Sequence, residues 1–177
     1  ADSNHMHGMA VADWAEPGLI DNSAVNNRQN GLAYFDSAAG RAEGNVAVGN
    51  GYNGVAVQGR ARPQLLGNRL ERNANFALGY YDQAGGVARD NRALRNGRYG
   101  IVVQKAARPE LVGNAVRDNG GSGLVYTDRA GGRARANELT GNARQGIAVL
   151  DRAAPALEGN TAADNGDNGV LFAVEAA

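Results

Sequence analysis

Asn22, Asn45, Asn68, Asn91, Asn114, Asn137 and Asn160 recur every 23 residues, with no insertion or deletion between them. A second asparagine column runs five residues later, through Asn4, Asn27, Asn50, Asn73, Asn96, Asn119, Asn142 and Asn165. Glycine marks a third column at Gly8, Gly31, Gly54, Gly100, Gly123, Gly146 and Gly169, broken only by Ala77. Alanine marks a fourth, from Ala15 to Ala176. A fixed period of this length belongs to a solenoid, whose units bury their core only against their neighbours.

The period also decides the kind of solenoid. After each glycine comes a short alternating apolar segment, as in Gly54-Val55-Ala56-Val57, Gly100-Ile101-Val102-Val103 and Gly146-Ile147-Ala148-Val149. Alternation in twos is the signature of a strand, and segments this short between Gly and Asn cannot be helices. A 23-residue turn has room for three such strands and three bends. The reading is an all-β, right-handed parallel β-helix of seven to eight coils, forming one domain over 1–177. At a strand spacing of ~4.8 Å it is a rod on the order of 37 Å long.

The asparagine columns are expected at the bends, because Asn tolerates the left-handed conformation. Its amide both donates and accepts, so stacked side chains can bond from coil to coil. A second period lies over the first. Pro17, Pro63, Pro109 and Pro155 are 46 residues apart, and Gly40, Gly86 and Gly132 hold the same place in the coils between. Proline coils pair Val11 with Leu19, Val57 with Leu65, Val103 with Leu111 and Val149 with Leu157. Glycine coils pair Tyr34 with Ala42, Tyr80 with Ala88 and Tyr126 with Ala134, and Phe172 takes the tyrosine slot in the last coil. Medium with medium and large with small keep each layer's volume constant, which places these columns inward.

Formal charge is zero, so nothing favours nucleic acid or an anionic membrane as partner. Without cysteine there is no disulfide framework and no thiolate metal cluster. The two histidines, His5 and His7, read as a solvent-facing loop pair, too few to hold a metal. No cofactor is expected.

The coils Asn-x-hydrophobic-x-x-Asn-x-x-x-Gly-hydrophobic-x-hydrophobic, for instance Asn114 to Asn119 followed by Gly123 to Tyr126, resemble the PbH1 repeats of right-handed β-helix proteins. This is the carbohydrate-binding and sugar-hydrolase repeat class, with the pectin-lyase-like fold. The alternation of Ala-x-Pro with Ala-Gly-Gly coils is similar to that of F-box substrate-recognition β-helices and their bacterial relatives. The compartment stays open on the sequence, with a bacterial secreted or cell-envelope setting favoured. The resemblance spans lyases, epimerases, hydrolases and non-catalytic binders, so it carries the fold further than the function. The Asp-Pro-His-Asp motif of mannuronan epimerases does not occur here, and no histidine follows Gly8. Coils without insertions also lack the long loops that wall a deep cleft.

The expected function is therefore a non-catalytic binding or scaffold module that meets an extended polysaccharide or a protein on an outward face. The alternative is part of a polysaccharide lyase or epimerase whose catalytic residues lie outside this chain. Candidate binding residues stand at the strand end: Phe35, Gln58, Tyr81 and Gln104 in one column, Asp36, Asp82, Asp128 and Asp151 in the next. Phe35 and Tyr81, two coils or ~9.6 Å apart, would be sugar-stacking platforms with Gln58 between them. A plain surface charge ladder through Asp82, Lys105 and Asp128 and a cation on Asp128 and Asp151 are the competing readings. Because the register holds from Ala1 to Ala176, the chain reads as a segment of a longer solenoid, with end-to-end self-association through uncapped coils.

Overall fold

Each coil bends three times, and every bend places at least one residue at positive φ, with Gly40, Gly86 and Gly132 adding a second in the glycine coils. The three bend columns run from Asp13 (φ 58°) through Lys105 (φ 59°), from Asp21 (φ 53°) through Ala136 (φ 53°), and from Asn26 (φ 54°) through Arg72 (φ 52°). In the last two columns the left-handed residue stands immediately before the ladder asparagine. Asn22 and Asn27 follow Asp21 and Asn26, so the asparagines of the ladder columns do not supply the left-handed backbone expected of them. They supply hydrogen bonds instead, which frees the turn residue to vary among Asp, Gly, Arg and Ala.

Between bends the chain runs in strands of three residues, or four at Ile147–Leu150 and Val170–Ala173, in the computed structural model that describes residues 1–174. Ala176, last of the alanine column, lies outside the described residues. Every strand pairs in parallel with the strand one period on, as in Leu32↔Val55, Ala33↔Ala56 and Tyr34↔Val57. Three parallel sheets result, one of eight strands and two of seven. The eight-stranded sheet begins with Met9–Val11 and ends with Val170–Ala173.

The lumen follows the alternating columns. Tyr34, Tyr80 and Tyr126 are fully buried against Ala42, Ala88 and Ala134, while Val57 and Val103 share their layers with Leu65 and Leu111. The three tyrosine hydroxyls have no hydrogen-bond partner. Burial raises their pKa values, to about 12 for Tyr34 and further for the other two, so all three stay protonated.

Along the corners the asparagines form continuous ladders. Asn68 Oδ1 accepts from the backbone N–H and the side-chain amide of Asn45, at 2.9 and 3.0 Å. Its Nδ2 donates to Ala42 O and to Asn91 Oδ1, both at 2.9 Å. The second column repeats this pattern, with Asn73 accepting from Asn50 and donating to Ala47 O and Asn96. Each interior ladder asparagine thus uses both acceptor lone pairs and both donors while buried, the condition under which a buried amide stabilises rather than costs.

Candidate functional site

The outer face of the eight-stranded sheet is a groove. Its floor is the middle residue of each strand, through Ala33, Ala56, Gly79, Val102, Val125 and Ala148, all buried although they point away from the lumen. Two walls cover them. One is the strand-end column of Phe35, Gln58, Tyr81, Gln104, Thr127 and Leu150. The other is formed by the residues just before the glycine column: His7, Asn30, Asn53, Phe76, Tyr99, Ser122 and Gln145.

The second wall has a short ladder of its own, running in the opposite sense. Asn30 Oδ1 accepts the Asn53 N–H at 3.2 Å, and Asn53 Oδ1 accepts the Phe76 N–H at 3.2 Å, so the side chain here serves the following coil rather than the preceding one. His7 heads it. Its Nδ1 accepts from the Asn30 N–H at 3.3 Å, lies 3.2 Å from the Asn30 amide nitrogen, and therefore leaves the ring proton on Nε2. The imidazole is half-buried, with its centroid 5.4 Å from that of Phe35, and this burial lowers its pKa. His5 is exposed, as a loop residue should be; His7 is a wall residue, held there by the amide column.

Halfway along, Tyr81 crosses the groove. It starts on the strand-end wall, and its hydroxyl accepts from Asn53 Nδ2 on the opposite wall at 3.2 Å. The ring lies over Gly79, where a β-carbon would stand 2.4 Å from the hydroxyl oxygen. Burial raises the phenol to about 12 despite the Asn53 hydrogen bond. Beyond it Phe76 and Tyr99 stack at 5.3 Å, with the Arg98 guanidinium 5.8 and 5.6 Å from the two rings. These rings pack with Val102, Val125, Ala148 and Leu150 into a second, exterior apolar cluster.

On the N-terminal side of Tyr81 the groove stays open as a cavity of about 410 Å³, lined by His7, Arg28, Gln29, Asn30, Phe35, Tyr52 and Gln58. Of the residues expected from the sequence, the structure brings Phe35 and Gln58 together here. Tyr81 is no free platform matching Phe35, because its ring is laid on Gly79 and tied to Asn53. Gln104 stands in the wall beyond the crossing.

The aspartates occupy a bend rather than the groove. All four have positive φ. Asp36, Asp82, Asp128 and Asp151 accept backbone N–H groups from Asp13, Gly59, Lys105 and Asp128, at 3.3, 3.1, 2.8 and 2.9 Å. Asp82 also meets Lys105 Nζ at 2.7 Å, and these bonds hold its carboxyl below the ordinary value. Asp151 is lowered likewise, by the Thr127 hydroxyl and the Asp128 amide. Among the described residues no group of three or more His, Cys, Asp or Glu is placed to hold a metal ion.

Tyr52, Arg28, Asn30 and the Tyr81 crossing escaped the sequence reading. The signals for them were two departures from the repeat. Gly79 is the sole glycine in the floor column, and Ala77, the break in the glycine column, adjoins the Phe76 wall.

Residues 9–162 match the family model described as a right-handed β-helix region. No curated protein matches the chain by sequence. Among solved structures, a mutant of the periplasmic alginate epimerase AlgG superposes with a TM-score of 0.83 at 14% identity, over 95% of this chain and 47% of that one. A double mutant gives 0.79 at 16% identity, over 90% and 43%, and a further AlgG structure 0.62 at 18%, over 90% and 38%. The chain spans less than half the length of each of these structures.

Proposed function

Because this chain belongs to the right-handed β-helix family, whose sheets carry continuous outer faces, we propose that it is a binding module for an extended polysaccharide. The observation that carries this reading is the open half of the groove. Phe35 and Tyr52 offer apolar ring faces, and Arg28, Gln29 and Gln58 offer polar groups around the same 410 Å³ space. Pyranose rings present both C–H faces and hydroxyls, and such a lining answers both. The volume falls in the range of ordinary ligand pockets, about 300–1,000 Å³. AlgG is an alginate epimerase, which makes alginate the first polymer to try.

The test is a glycan array followed by titration calorimetry with alginate and a neutral β-glucan. Saccharide binding that weakens at least tenfold in Phe35→Ala, with the circular dichroism unchanged, supports the reading. Absence of binding to every glycan overturns it and turns the search to a protein partner.

A second reading rests on the extent of the match: this chain corresponds to under half of the epimerase chains. The groove then serves a carbohydrate-active enzyme whose catalytic residues lie elsewhere. Eliminative cleavage of uronate polymers, followed by ultraviolet absorbance, or epimerisation of alginate, followed by proton NMR, tests it; neither activity in the chain or a longer form containing it sinks it.

A further inference from the structure

The Tyr81 crossing bears on how a polymer could sit in this groove, and the inference rests on the polysaccharide reading above. We infer that the site reads the end of a glycan chain, with Tyr81 as the residue that stops the chain. A polymer bound along its interior needs a channel open in both directions, and here one direction is closed. The Tyr81 side chain leaves one wall, its hydroxyl lies over the floor at Gly79, and the Asn53 amide meets it at 3.2 Å from the other wall, so ring and amide together close the width. The ring also rests on the floor. Gly79 is glycine where the neighbouring floor residues are Ala56 and Val102, and a β-carbon there would lie 2.4 Å from the hydroxyl oxygen and 2.7 Å from two ring carbons. Floor and crossing are therefore matched: this ring position requires that glycine.

The obstruction is more than one side chain thick. The stacked Phe76 and Tyr99 rings stand behind it, and the floor rises from Ala33 and Ala56 to Val102 and Val125. On the open side, His7, Phe35 and Gln58 stand on three successive coil levels, ~10 Å at the strand spacing. That length admits a few sugar units. A chain lying along the strand-stacking axis meets Tyr81 with its terminal unit. The phenol keeps its proton, and because the oxygen accepts from Asn53 that proton remains free to donate to a terminal hydroxyl.

Stoichiometry separates end reading from interior binding. Size-fractionated alginate chains, with cello-oligomers as the neutral counterpart, are titrated into the intact protein by calorimetry. The expected result is one protein per chain whatever the chain length, and loss of binding when one terminal unit is blocked by a bulky tag. A count of bound protein that rises in proportion to chain length overturns the inference while leaving the polysaccharide reading in place. No binding of any chain removes the underlying reading and this one with it. Tyr81→Phe retains the ring and is expected to keep one protein per chain. Tyr81→Ala, checked for folding by circular dichroism, opens the groove and is expected to make the count grow with length. The wild-type measurement with blocked chains decides the matter even where that variant fails to fold.

Discussion

The two faces of the eight-stranded sheet are built from the same strands, yet one is regular and the other is not. Facing inward, large and medium residues alternate with a 46-residue period from Val11 to Val149, and each layer is filled to a similar volume. Facing outward, the floor passes from alanine to glycine to valine, and the walls change from amides to aromatic rings within two coils. The inner face must satisfy its neighbours above and below at crystal-like packing density, so a departure at one level is felt at the next. The outer face has solvent on one side and can depart locally. A pocket, a crossing ring and a stacked pair appear there.

Four perturbations probe this contrast, beginning with the largest. Asn91→Ala strips the acceptor from two donors of Asn68 and the donor from Leu65 O, all buried. The expected loss is on the order of 3 kcal/mol in urea unfolding, and a loss under about 1 kcal/mol would show that the ladder is less rigid than drawn. Gly79→Ala forces Tyr81 off the floor. It should cost about 1–3 kcal/mol and alter the near-ultraviolet circular dichroism of the tyrosines; an unchanged spectrum would place the ring elsewhere.

Tyr80→Phe acts inside and in the opposite direction. It removes a buried hydroxyl without a partner, so stability should hold or rise by up to about 1 kcal/mol, whereas a clear loss would mean that the hydroxyl has a partner in solution. The smallest effect belongs to His7. Burial lowers its pKa below 6.5, so the folded chain takes up that proton less readily than the unfolded chain. The stability tied to neutral His7 is complete above pH 6.5 and is lost as the pH falls through the lowered folded value. Thermal melts across this range should show a small acid-side decline that His7→Gln flattens.

Much of the fold was legible because a solenoid writes its contacts at one fixed separation. Strand pairing, the asparagine ladders and the inward tyrosine column all connect residues 23 apart or multiples of it. Two kinds of feature were harder. The left-handed bend residue proved to be Asp21 or Asn26 rather than the asparagine after it, because the ladder asparagine is chosen for its amide and not its φ. The site was obscured for a different reason: its decisive contact, Asn53 to Tyr81, joins residues 28 apart and so lies off the period. Phe35 and Gln58 were legible as neighbours because they share one column. Tyr81 shares that column too, but its direction is set by a residue in another, and only the lone Gly79 hinted at it.

The alternation of layers in the lumen also constrains how such a chain can lengthen. Copying one 23-residue coil would set two Tyr–Ala layers, or two Val–Leu layers, directly against each other and upset the fit of side chains above and below. Copying a 46-residue pair leaves every junction as it was. Descendants of this molecule that differ in length should therefore differ by even numbers of coils, and parity becomes an inherited property of the rod.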